Sequence, residues 1–119
     1  MITRYALFEG EIKAGREAAF HTFVKELLVP LWTKFPNAVD VRVNFGAERD
    51  EGAPPIAMIL ETRYPDRKSL EAALGSDVRW KSREVTGELM KMFSGRIHHH
   101  VMDQAHAGTA GDNLPPRSP

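Results

Sequence analysis

The stretch Val39-Asp40-Val41-Arg42-Val43-Asn44-Phe45 alternates strictly, apolar at each odd number and charged or polar between. Successive side chains of a strand point to opposite faces, so this segment reads as a β-strand with one face toward a core and one polar face. A polar loop from Gly46 to Pro55 follows and ends in a double proline. The alternation then resumes from Ile56 to Tyr64, with Ile56, Met58 and Leu60 on one side and Ala57, Ile59, Glu61 and Arg63 on the other. Two such runs joined by a turn-rich segment form a long hairpin.

Outward from the hairpin the period changes. Between Arg16 and Phe35, the residues Phe20, Phe23, Val24, Leu27, Leu28, Leu31 and Phe35 recur at steps of three and four, which is an amphipathic helix. Pro30 interrupts it, because proline lacks the backbone donor and clashes with the carbonyl of Glu26, so a kink is expected there. The helix should stop before Pro36, with Pro36-Asn37 as the turn. Upstream, Ile2 to Ile12 alternates with Tyr5 and Leu7 on one side and Arg4, Ala6 and Phe8 on the other. That is a strand with two partly apolar faces.

Downstream, Asp66 is placed to cap a short helix through Leu70, Ala73 and Leu74 that Gly75 closes. Ser76 caps a second helix to about Phe93, with Val78, Val85, Leu89 and Met92 at helical steps and Gly87 weakening it. A last strand runs from Arg96 to Asp103. The order is β-α-β-β-α-β, the ferredoxin-like α+β arrangement: a four-stranded antiparallel sheet with both helices on one face. One layer of helices leaves the other sheet face without a cover.

The bulk composition agrees with one globular domain. The chain has 119 residues, 42% hydrophobic and 27% charged, which suits a single packed core rather than a disordered chain. Sixteen Lys and Arg balance sixteen Asp and Glu. No basic excess is present to release counterions from nucleic acid, and no basic apolar helix to bind a membrane, so neither partner is expected. The absence of cysteine excludes a disulfide scaffold, thiolate metal sites and a cysteine nucleophile. With no apolar run suited to a signal peptide, a cytoplasmic location is expected. The domain should span residues 1–104, and residues 105–119, rich in Gly, Pro and polar residues, should form a disordered tail.

The segment Phe35-Pro36-Asn37-Ala38-Val39-Asp40-Val41-Arg42-Val43, the junction Leu70-Glu71-Ala72-Ala73-Leu74-Gly75-Ser76-Asp77 and the later Phe93-Ser94-Gly95-Arg96 resemble the dimeric α+β barrel superfamily. Within it the chain is most similar to the EthD-like proteins, related to antibiotic biosynthesis monooxygenases and stress-responsive barrel proteins. The resemblance covers residues 1–104. It implies a homodimer in which two sheets face each other and close a barrel, covering the bare face. It further implies a small-molecule function, either a cofactor-independent oxygenase or isomerase acting on an aromatic or quinone-like molecule, or a non-catalytic ligand-binding dimer. Haem is not expected: Trp80 is available, but the stretch from Ala72 to Ser82 lacks the histidine that the haem-degrading branch uses. No other cofactor is expected.

His98-His99-His100 is the most distinctive local feature. On a strand His98 and His100 share a face, and their Cα atoms lie roughly 6.5–7 Å apart, within reach of one metal ion if a third ligand such as Asp40, Glu61 or Asp103 converges. The alternative is a polar seam without metal, which is the expectation here. His99 points to the other face, where the resemblance places small ligands between sheet and helices. A neutral imidazole there, beside Tyr5 and Trp80, would act as a base or orient a phenolic substrate, and these three are the catalytic candidates. Ordinary core packing of the same residues is the competing reading. Arg4, Asp40, Arg42, Glu61, Arg63 and Arg96 are expected to form a polar network in the barrel lumen, where opposite charges must pair. There is no phosphate-binding glycine loop, GxSxG elbow or HExxH helix.

Overall fold

The computed structural model describes residues 1–109. Strand β1 (Ile2–Ile12) leads to α1 (Glu17–Phe23), a π-helical turn (Val24–Leu28) and α2 (Val29–Trp32). Strands β2 (Asp40–Phe45) and β3 (Ile56–Tyr64) follow, then α3 (Arg67–Leu74), α4 (Asp77–Leu89), a 3-10 turn (Met90–Met92) and β4 (Phe93–Asp103). The four-stranded sheet has the order β2-β3-β1-β4 with every neighbour antiparallel, which is the expected ferredoxin-like arrangement. Residues 105–109 carry no helix or strand; the rest of the expected disordered tail lies outside the described residues.

The first helical region departs from its expected face. Phe20, Val24, Leu28 and Trp32, each four residues apart, are all buried, whereas Leu27 is 52% exposed and Leu31 only partly covered. An α-helix of 3.6 residues per turn would let a four-residue series drift around the axis; the wider π-turn holds it on one stripe. The π-turn ends where Val29 donates its backbone N–H to the Val24 carbonyl, immediately before Pro30. The expected disturbance at Pro30 is therefore a change of winding that begins upstream of it.

Asp66 caps α3 by accepting from the Ser69 backbone N–H at 2.8 Å, and Ser76 caps α4. Strand β4 starts at Phe93 rather than Arg96, because Phe93 pairs with Ile12 at the far end of β1. Strand β2 starts at Asp40, although Val39 still donates its backbone N–H to the Arg63 carbonyl at 2.7 Å. A register shift between Phe8 and Glu9 sets Ile56 opposite Glu9, so Ile56 does not continue the face of Met58 and Leu60. The fully buried side chains Phe8, Phe20, Val24, Leu28, Met58, Tyr64, Leu70 and Leu89 form one core between the sheet and the helices.

Candidate functional site

The register of β1 separates the predicted site residues. His99 stands opposite Ala6, and Arg4 opposite Val101 and Thr62, so His99 and Arg4 share the helix-covered face with Ala6 and Phe8. Tyr5 stands opposite His100 and Glu61, on the helix-free face. Two placements are corrected by this parity. Tyr5 does not join His99, and Arg4 does not belong to the polar network of the open face, because one residue along a strand is one change of face.

Between the sheet and α4 lies a half-open cleft of about 390 Å³. Its apolar wall includes Phe8, Trp32, Phe35, Leu60 and Ile97, and its polar lining is Arg4, Arg79, Arg83, Ser82, Thr86 and His99. Residues 79, 82, 83, 86, 87 and 90 all line it, which is one stripe of a helix continuing into the 3-10 turn. Trp80 is one step off that stripe, 56% exposed and absent from the lining, which corrects its expected place as a ring against the ligand. Its indole instead lies 5.0 Å from the Arg83 guanidinium and 5.7 Å from that of Arg79. These are cation–π contacts that brace the two cleft arginines from outside. Arg79 also donates to the Leu74 carbonyl at 3.2 Å.

Among the described residues no Asp or Glu lines the cleft, so its cations face one another without a counter-charge. The Arg4 guanidinium is held below the ordinary arginine value by burial first and then by Arg79, with Arg83 adding and Tyr64 opposing. Arg79 is lowered in the same way by burial and by Arg83. His99 is solvent-exposed as a residue, yet the cleft walls partly desolvate its ring. That desolvation, followed by the charges of Arg4, Arg79, His98 and Arg83, lowers its pKa from 6.5 to about 4. At neutral pH His99 is thus an uncharged imidazole, able to accept a proton or hydrogen bond, within a positively charged cleft.

The Ser82 hydroxyl donates to the Arg79 carbonyl at 2.9 Å and the Thr86 hydroxyl to the Ser82 carbonyl at 2.7 Å. Their protons are committed to the helix and their lone pairs remain to accept from a ligand. Trp32, Arg79 and Arg83 were not among the predicted site residues. The four-residue series from Phe20 to Trp32 carried a signal for the first; the arginines look like any solvated helix face until α4 is docked.

On the helix-free face, charges of the expected polar network meet in two separate groups, neither of which includes Arg4 or Glu61. Asp40 meets Arg63 at 3.4 Å and Arg42 at 3.6 Å, and Glu9 joins Arg96 at 3.7 Å and His98 at 3.2 Å. Glu9 falls in the mixed pattern toward the end of β1, where alternation gives no signal for this pairing. Glu61 lies opposite Arg42 and Tyr5, with no ion pair within 4.0 Å among the described residues. The His98 and His100 rings are 5.4 Å apart and edge-on. Among the described residues no three His, Asp or Glu side chains converge as a metal site, so the third ligand sought from Asp40, Glu61 or Asp103 does not assemble. No described helix is long and apolar enough to cross a membrane.

No protein-family model matches the chain, and no curated protein matches it. Solved structures do. An ethyl tert-butyl ether degradation (EthD) family protein from Bacillus halodurans shares 21% identity over 87% of this chain and 98% of its own, at a TM-score of 0.67. A cofactor-independent oxygenase from Streptomyces nogalater shares 12% identity over 89% of this chain and 94% of its own, at 0.61. A dimeric protein of unknown function from Bacteroides fragilis, with a ferredoxin-like fold, shares 10% identity over 87% and 95%, at 0.62. The chain has the ferredoxin-like α+β fold of the EthD-like proteins and their oxygenase neighbours.

Proposed function

We propose that the cleft binds a small, flat, anionic molecule and that its chemistry is that of a cofactor-independent oxygenase or isomerase acting on a phenol- or enol-like substrate. The observation that carries this is the lining itself: three arginines and a neutral imidazole beside aromatic and aliphatic side chains, with no carboxylate among the described residues. Such a set is costly when empty, since like charges repel, and that cost is offset when a negative ligand enters. The aromatic side chains Phe8, Trp32 and Phe35 give the apolar body of the ligand a surface.

In this reading the hydroxyl proton of the substrate passes to a ring nitrogen of His99, and the phenolate or enolate oxygen is held by the arginines. Desolvation remains the first cause of the His99 depression, but the anion offsets the arginine charges that come second to it and so raises the ring's basicity at the moment the proton must be held. Return of that proton to a different atom would be an isomerisation; reaction of the electron-rich anion with dioxygen would be an oxygenation. The likeness to a cofactor-independent oxygenase supports the second outcome.

The test is an NMR titration of the His99 imidazole with and without 2-naphthoate, with neutral 2-naphthamide as control. The free ring should titrate near pH 4 and the bound ring above it. Because the bound pKa is the higher one, the carboxylate should bind with proton uptake, and more tightly as pH falls toward 4. Equal affinity for acid and amide would exclude the anionic reading. Binding of hydroxylated acids without oxygen consumption or rearrangement would leave a ligand-binding protein rather than an enzyme.

We further infer a homodimer closed through the helix-free face, where Tyr5, Leu7 and Ile59 put partly buried apolar side chains among the paired charges. The dimeric neighbour of the same fold supports this. Light scattering at micromolar concentration should give twice the mass of the chain; the mass of a single chain would refute it.

A further inference from the structure

We infer that Gly87 sets the length of ligand that the cleft admits; the inference rests on the anionic-ligand reading above. Gly87 lies inside α4, where a glycine weakens the helix because its backbone loses more freedom on folding than any other residue's. Nothing in the packing requires it. A Cβ built at Gly87 meets no atom of the described residues within 4 Å, and the residue is not among those with positive φ. Alanine would therefore fit and make a better helix. What distinguishes the position is that it lines the cleft.

Its place on α4 gives that lining a meaning. Gly87 follows Arg83 by one helical turn and Arg79 by two, about 6 Å and 12 Å along the axis. The three share the stripe that faces the cleft. A ligand anchored through its negative group at Arg79 and Arg83 extends its apolar body along this stripe, over Gly87 toward Met90. A side chain at residue 87 would project into the space that body needs. A short ligand, ending before the next turn, would not meet it. The glycine thus trades helix stability for room, and the arginines define the end from which the length is measured.

The experiment compares the wild-type protein with Gly87→Ala and Gly87→Leu, using benzoate and 2-naphthoate as short and long rigid anions in calorimetric titrations. Both variants should fold, and Gly87→Ala should melt higher by about 3–5 °C. Gly87→Leu should bind 2-naphthoate about tenfold or more weakly than wild type while keeping benzoate within about twofold. Unchanged affinities in both variants, or equal losses for the two acids, would overturn the assignment of Gly87 alone. Wild-type protein that binds neither acid would overturn the anionic reading and the assignment with it.

Discussion

Gly95→Ala is expected to destabilise the protein by about 3 kcal/mol or more, seen as a fall of roughly 10–20 °C in Tm. Gly95 faces Gly10 across the β1–β4 ladder, and Gly10 has a φ of 143°, a conformation that L side chains rarely adopt. A Cβ at Gly95 would strike the Glu9 carbonyl oxygen and the Gly10 backbone, and one at Gly10 would strike the Ser94 carbonyl oxygen. The bare backbone also gives the Phe93 ring its seat. Its edge reaches the places where both Cβ atoms would be, and the ring meets Phe8 at 6.2 Å and Phe20 at 6.0 Å between centroids. Alanine would have to displace two strands and this aromatic cluster together. Thermal melts followed by circular dichroism decide the matter, and a change in Tm below about 3 °C would show that the strands give way easily. The same substitution at Gly87 should act with the opposite sign, since Gly87, unlike Gly10 and Gly95, has open space where the Cβ would stand.

Neutralising the cleft arginines is expected to produce the largest effect on binding. Arg79→Gln and Arg83→Gln should each weaken 2-naphthoate by about tenfold or more, the usual scale for a hydrogen bond to a charged partner, and together by about a hundredfold if they act independently. Affinity for neutral 2-naphthamide should hardly change. Their loss removes repulsion from Arg4, which no lining carboxylate among the described residues offsets, and also removes the contacts with Trp80 and, for Arg79, the bond to the Leu74 carbonyl, so the melting temperature of the unliganded protein should change little. A binding loss accompanied by a matching fall in stability would mean that the arginines hold the fold rather than the ligand. Equal weakening of the amide would mean that shape, not charge, governs the cleft.

The origin of this cleft explains what was legible beforehand. The alternation of Val39 to Phe45 and Ile56 to Tyr64 was sufficient for the hairpin, and the change of period on either side for the β-α-β-β-α-β order. Parity alone put His99 on the opposite face from His98 and His100, and the register agrees. Parity also separated Arg4 from Tyr5, although grouping residues by chemistry set Tyr5 beside His99 and Arg4 among the lumen charges. The strand rule was the better guide because side-chain direction is fixed by the backbone whatever the residue type.

Local periodicity is a property of contiguous residues, and the sequence by itself determined the strands, the caps at Asp66 and Ser76, and the face on which His99 lies. Only the tertiary structure decided which stripe of α4 would meet the sheet, and hence that Arg79 and Arg83 rather than Trp80 would share a cleft with Arg4 and His99. The π-turn before Pro30 likewise rotated Trp32 inward and left Leu27 outside. These outcomes depend on how separate elements fill one core, and that choice is made by packing between residues distant in the chain.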